Sequence, residues 1–249
     1  MASYWMVLGL ALLPALGNFG GAILAETFAT NKNRLNKALH AAAGIVIAII
    51  SVELIPEALE KISAWWVAAA FGLGGIAYVV ISIIVDKLQG ATNKSGANSA
   101  SGMWMIYIAV SIDLASDGLM IGTGSAVSPT MALALALGQV LADIPEGYAT
   151  IANMKEKGVS RPRRILLSAS FAIPVLGMAS IAYFVLRGVG EVWQMGALAF
   201  VAGLLALAAV EDMISEAHES REDTKWSMLL FTGGFVLFVL VSAGVDGGQ

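Results

Sequence analysis

Residues 111–122, SIDLASDGLMIG, and 139–149, QVLADIPEGYA, decide how this chain is read. Each lies inside a long apolar run, yet each carries two acids. Asp113 and Asp117 are four apart, and Asp143 and Glu146 are three apart, so on a helix each pair shares one face. Neither stretch contains Lys or Arg. A carboxylate at mid-bilayer costs roughly 2.5–3.5 kcal/mol even on lenient insertion scales. Four near one depth need protons, water or a cation. With no basic side chain in either run, the neutraliser these residues point to is a metal ion passing through.

The surrounding composition fits a membrane setting. Of 249 residues, 58% are hydrophobic and 13% charged, about half the charged share of a soluble domain, and the mean hydropathy is +0.79. There is no cysteine, which removes disulfides and thiolate metal sites. The two histidines, His40 and His218, are too few for a multi-histidine cage. Runs of about 20 apolar residues suffice to cross the hydrocarbon. Eight are expected, near 4–25, 39–60, 64–86, 103–123, 130–153, 164–187, 194–217 and 226–245. Residues 1–25 lack a basic leader and read as the first span, not as a cleaved signal peptide. Tyr4, Trp5, Trp65, Trp66, Trp104, Trp193 and Trp226 fall where interfacial anchors belong. The whole chain, 1–249, reads as one transmembrane domain with a flexible cytoplasmic loop at about 87–102, whose QGATNKSGANSASG (89–102) is rich in Gly, Ser and Asn.

Charge sets the orientation. The loops after spans 1, 3, 5 and 7 hold Lys32, Arg34, Lys37, Lys87, Lys94, Lys155, Lys157, Arg161, Arg163, Arg164, Arg221 and Lys225, against Lys61 and Arg187 on the other side. By the positive-inside rule those loops are cytoplasmic and both termini lie outside. An inner (cell) membrane location follows. The basic KEKGVSRPRR segment is then a topology signal and not a nucleic-acid site.

ELIPEALE (53–60), ending span 2, resembles DMISEAHE (212–219), ending span 7. The two spans run in opposite directions. This suggests an inverted repeat of spans 1–3 and 6–8 around spans 4 and 5, a 3+2+3 arrangement with its substrate site at the midplane. Acids would then line a path from Glu53 and Glu57, through the centre, to Glu211, Asp212, Glu216 and His218. Near span ends a solvated charge is the ordinary explanation for Glu57, Glu216 and His218. His40 reads as interfacial. Pro145 and Pro56 each withhold a backbone N–H, from the carbonyls of Leu141 and Val52. Gly118 and Gly147, each directly after an acid, either let helices approach or leave room for an ion.

At these residues the chain resembles the ZIP (Zrt-/Irt-like protein) family of divalent metal transporters, nearest its GufA-like bacterial branch. The family's span-4 signature H-N-x-x-[DE]-G corresponds to Asp113-Leu114-Ala115-Ser116-Asp117-Gly118, and its span-5 signature [HQ]-[ED]-I-P-E-G to Ala142-Asp143-Ile144-Pro145-Glu146-Gly147. The span-2 and span-7 motifs correspond to Glu53-Leu54-Ile55-Pro56-Glu57-Ala58 and Glu211-Asp212-Met213-Ile214-Ser215-Glu216. The resemblance implies a metal site built from Glu53, Asp113, Asp117, Asp143 and Glu146. Both motif histidines are absent, Leu114 replaces the asparagine, and Ile173 stands where the GufA-like pattern has Glu. A second neighbouring site is therefore degraded. Oxygen ligands alone favour Mn²⁺, Mg²⁺, Ca²⁺ or Fe²⁺ over Zn²⁺, whereas zinc and iron are the family's usual cargo.

The metal is substrate, not cofactor, and the chain reads as a transporter and not an enzyme. Its expected partners are that ion and the lipid bilayer, with a homodimer left open. One rival is a Mg²⁺-dependent intramembrane transferase, which needs Lys or Arg to hold a diphosphate. Another is a proton-coupled carrier of an organic solute, for which these spans offer few recognition groups.

Overall fold

A computed structural model describes residues 2–28, 32–93, 99–214 and 224–247. It is helical along nearly all of that length, beginning with α1 (Tyr4–Thr27) and α2 (Lys32–Ala48). A π-helical stretch, Ile49–Leu54, leads from α2 into α3 (Ile55–Lys61). Then follow α4 (Ala64–Asn93), α5 (Ser99–Val127), α6 (Pro129–Glu156), α7 (Arg161–Ser170), α8 (Ala172–Leu186) and α9 (Glu191–Ala208). A second π-helical stretch, Ala209–Ile214, continues α9, and α10 covers Thr224–Asp246. The expected loop at 87–102 is shorter than its composition suggests. Helix persists to Asn93 and resumes at Ser99, while residues 94–98 lie outside the described ones.

Local chemistry explains several boundaries. The Ser128 hydroxyl accepts from the Met131 N–H at 3.0 Å, and Pro129 occupies the first turn, where its missing N–H costs nothing. At its far end α6 closes with Gly158 at φ +72°, a conformation that favours glycine, and Val159 N–H returns to the Met154 carbonyl at 3.0 Å. The helix runs unbroken through Pro145.

Among the described residues seven segments are long and apolar enough to cross a membrane: Tyr4–Thr27, Leu35–Lys61, Ala64–Val85, Met103–Val127, Arg161–Leu186, Glu191–Glu211 and Lys225–Val245. The expected span at 130–153 is not one of them. Its helix, α6, has 28 residues, about 42 Å at 1.5 Å per residue, but Gln139, Asp143 and Glu146 dilute its apolar character. It tolerates them because protein surrounds it. Fifteen of its residues are buried, whereas α4 and α10 expose Ile76, Val80, Ile84, Leu229, Leu237 and Leu240. Polar groups at the centre and large apolar side chains at the periphery suit a bundle bathed in hydrocarbon.

The helices pack as two groups. One is α1, α5, α6 and α8, with α1 on α6 and α5 on α8; in the other, α2 packs on α10 and α4 on α9. Glycines set these contacts. A Cβ on Gly21 would sit 1.9 Å from the Ile144 carbonyl oxygen, and one on Gly147 1.9 Å from that of Asn18. A Cβ on Gly118 would lie 2.2 Å from the Val175 carbonyl oxygen. In the second group a Cβ on Gly44 or Gly234 would lie 2.0 Å from the carbonyl oxygen of Phe231 or Ala41, and one on Gly74 or Gly203 1.9 or 2.0 Å from that of Phe200 or Phe71. Small residues permit such close backbone approach where hydrocarbon offers no hydrophobic drive between helices. Gly118 and Gly147 are therefore packing positions; neither leaves space for an ion.

Gly203→Ala should destabilise the protein by about 1–3 kcal/mol through overpacking. Gly196→Ala, in the same helix with nothing within 4 Å of its added methyl, should be neutral or stabilising by about 0.5–1 kcal/mol. Thermal unfolding in detergent compares them, and equal melting temperatures would contradict the crossing argument.

Candidate metal centre

The four central acids come together between α5 and α6. Asp117 and Asp143 are fully buried. The carboxyl of Glu146 meets that of Asp143 on its own helix and that of Asp113 on the preceding one. One oxygen of each acid, Asp113 Oδ2, Asp117 Oδ2, Asp143 Oδ2 and Glu146 Oε2, is buried with no hydrogen-bond partner. Such atoms are costly to leave unpaired. No Lys or Arg lies between Lys94 and Lys155 to compensate them. Among the described residues, no three acid or histidine side chains already surround a single point as a metal cage.

Two buried amides join this centre, and the sequence reading did not single them out. Gln139, one turn before Asp143 on the same face of α6, donates from Nε2 to Asp117 Oδ1 at 2.5 Å and to Asp143 Oδ1 at 3.4 Å. Its Oε1 is buried without a partner. Asn18, on α1, is completely buried with neither amide atom bonded, and its backbone lies against Gly147. The available signal was the i, i+4 spacing of Gln139 and Asp143 and a lone Asn inside an apolar span.

The remaining candidates disperse. Glu53 sits in the Ile49–Leu54 stretch of the other helix group, half-buried, and accepts from Ser242 Oγ on α10 at 2.5 Å. Glu57 pairs with Lys61 at 2.5 Å, the ordinary fate of a charge near a helix end. Glu211 is exposed. Asp212 falls in the second π-helical stretch, its side chain undescribed, and Glu216 and His218 lie outside the described residues. His40 is buried, donating from Nδ1 to the Asn36 carbonyl at 2.9 Å. Leu114 and Ala142 are fully buried. Ile173 is 71% exposed and does not line the acid cluster, so its lack of a carboxylate takes nothing from this centre.

The surroundings of the centre differ along the bundle. Towards the start of α6, Gly138 receives the ring of Phe238, with Cε2 2.5 Å from where a Cβ would lie, and Ile49 closes the same contact. Towards its end a cavity of about 310 Å³ opens among Leu24, Phe28, Leu35, Ala38, Ile144, Pro145 and Tyr148. Beyond it, Arg164 grips Glu26 through two bonds of 2.6 and 2.9 Å, Arg161 adds a third contact at 3.5 Å, and Lys155 donates to the Ala25 carbonyl at 2.5 Å. This clasp ties α1, α6 and α7 at one end.

The fold and the centre define a multi-pass helical membrane protein with an acidic, base-free core. No protein-family profile matches the chain. It is similar to zinc transporter ZIP4 of Mus musculus, 26% identical over 148 residues, which covers 57% of this chain and 22% of that protein. The zinc transporter ZIP4 of Rattus norvegicus is 24% identical over 148 residues, with the same coverage. The similarity thus spans about a fifth of the length of these relatives.

The Glu26 side chain is 4% exposed, so Arg164→Ala should cost about 1.5–3 kcal/mol, the range for hydrogen bonds to a charged group. Raising the salt concentration should cause little of that loss in the unmutated protein, because burial shields the pair. Thermal unfolding at low and high salt checks both statements.

Proposed function

We propose that this protein is a divalent metal cation transporter of the ZIP type, moving the ion toward the cytoplasm by alternating access. The observation that carries the reading is the set of four partnerless carboxyl oxygens on two adjacent helices, with no Lys or Arg between Lys94 and Lys155. A cation compensates such a cluster in the way a structural network of acids alone does not. The similarity to mammalian zinc transporters over 57% of the chain points the same way. Asp113, Asp117, Asp143 and Glu146 hold the substrate ion in this reading, and Glu53 lies across the interface between the helix groups.

Several features support eight spans in an inverted 3+2+3 arrangement, with α6 as the eighth. Gly44 stands nine residues before Glu53, and Gly203 nine before Asp212. Gly74 and Gly234 follow those acids at 21 and 22 residues. Each acid lies in a π-helical stretch, Ile49–Leu54 or Ala209–Ile214, a rare feature frequent at functional sites. The contact of α2 with α10 then corresponds to that of α9 with α4. Such pairing across two segments of opposite direction is what a repeat of this kind produces.

The mechanism follows from how the helices group. All four acids belong to α5 and α6, whose glycine contacts with α8 and α1 fix their mutual geometry. The ion is carried by movement of this group against α2, α4, α9 and α10, and not by rearrangement of its ligands. Phe238 in the notch at Gly138 seals the outer side, and the cavity at Ile144 and Pro145 opens on the basic end, which the charge distribution makes cytoplasmic. A Mg²⁺-dependent transferase would need cationic groups in the centre to grip a diphosphate, and α5 and α6 supply none there.

Asp117→Ala and Glu146→Ala should each abolish metal uptake into proteoliposomes while leaving membrane expression intact; normal uptake by both would remove the assignment. For selectivity, the oxygen-only centre should prefer Mn²⁺ or another hard ion over Zn²⁺ in a competition assay. The double substitution Asp113→His with Ala142→His should move that preference toward zinc, and zinc preferred already by the unmutated protein would end the hard-ion reading.

A further inference from the structure

Gln139 is a neutral side chain that bridges acids from both central helices, at 2.5 Å to Asp117 and 3.4 Å to Asp143. It is 1% exposed, so water does not compete for its amide. The bridging atom is a hydrogen-bond donor, placed where a cation shared by the same two carboxylates would sit. The other amide atom, Oε1, is a good ligand for a hard ion, and it is buried without a partner. Gln139 lies inside the continuous helix α6, which fixes the path of its backbone beside the centre.

We propose that Gln139 is a specificity-determining ligand of this site: its NH₂ group spans Asp117 and Asp143 when no ion is held, and its Oε1 turns to a divalent ion bound between the same carboxylates. The inference rests on the metal-transport reading and extends it. The turn is about the Cγ–Cδ bond, a torsion with a broad, roughly two-fold profile. Exchanging the NH₂ and the oxygen of a planar amide leaves its shape almost unchanged, so the packing around Gln139 needs no adjustment. The exchange reverses the sign of the partial charge facing the site. In one orientation the amide satisfies two carboxylates, and in the other it completes an oxygen shell around the ion without adding net charge. Two carboxylates balance a divalent ion, and a neutral amide oxygen is a usual third ligand for hard ions and a poor substitute for imidazole where zinc is concerned. The ion therefore replaces an internal hydrogen-bond donor, and ions that gain little from an amide oxygen lose in that exchange.

The test is direct binding of Mn²⁺ and of Zn²⁺ to the purified full chain by titration calorimetry, with flux of each ion in proteoliposomes. Gln139→Leu should weaken Mn²⁺ binding about 10–100-fold, the usual effect of removing a group that supports a metal site, and weaken Zn²⁺ binding less. Gln139→Glu keeps an oxygen ligand and should retain Mn²⁺ binding. Gln139→His supplies an imidazole and should shift the Mn²⁺-to-Zn²⁺ affinity ratio toward zinc by about tenfold or more. A purely structural glutamine would lower stability without changing that ratio. Should the leucine variant fail to fold, the glutamate and histidine variants decide; an unchanged ratio in both overturns the proposal. Asp117→Ala separates the two levels of the argument. If it binds both ions as the unmutated chain does, the site itself is wrong. If it binds neither while the Gln139 variants keep the original ratio, only the role given to Gln139 falls.

Discussion

Four carboxyl groups share one small volume at the middle of a helical bundle, and nothing basic on their own helices answers them. Much of the architecture around them follows from enclosing that charge. The helix that carries two of the acids and Gln139 is less apolar than its neighbours, so it takes the central place, where side chains and not lipid cover it. Its neighbour α1 comes close enough to cover it only because Gly21 and Gly147 remove the side chains that would hold the backbones apart. On the other central helix Gly118 and Gly122 do the same against α8. The glycine directly after each distal acid thus serves the site indirectly, by bringing a covering helix to it.

The same device assembles the second helix group. Reciprocal glycine contacts join α2 to α10 and α4 to α9 at closely matching positions. In both α2 and α9 the continuation is π-helical over six residues, and an acid lies inside it. An extra residue in a helical turn widens it and turns the side chains after it. Two such turns, one in each half of the chain, are hard to explain by local sequence, because IISVEL and AVEDMI share little besides an acid within them. The proposed inverted repeat would account for both.

What was legible in the sequence was whatever depended on composition and short spacing. Seven of the eight expected spans follow from hydropathy alone. The eighth, expected as one more apolar run, is a helix of sufficient length whose polar residues depress its hydropathy. The meeting of Asp113, Asp117, Asp143 and Glu146 was expected from two pairs at helical spacing on successive spans. Residues whose role depends on what packs against them were not legible. Gln139 lies one turn from Asp143 and was passed over because an amide carries no charge to explain. Asn18 matters only because α1 lies on α6. Ile173 was placed at the site by its motif position, yet its side chain points outward. The glycine- and serine-rich segment after Lys87 read as a loop, while most of it extends two helices, because low complexity measures weak preference and not a prohibition.

The division into two helix groups bears on how such a centre can discriminate between ions. If ligands came from both groups, every passage across the membrane would take the coordination shell apart, and selectivity would depend on a geometry that exists only briefly. Here the four acids and Gln139 share one group, and glycine contacts hold its members at backbone distance. The ligand geometry can therefore persist while the surroundings change. Between the groups, where α2 packs on α6 and α9 on α5, Gly138 meets side chains and not a backbone carbonyl: the ring of Phe238 and the end of Ile49. These are side-chain contacts, which can separate and reform at far less cost than interlocked backbones. In the proposed transport reading, recognition falls to the helices joined backbone to backbone and access to those joined by side chains.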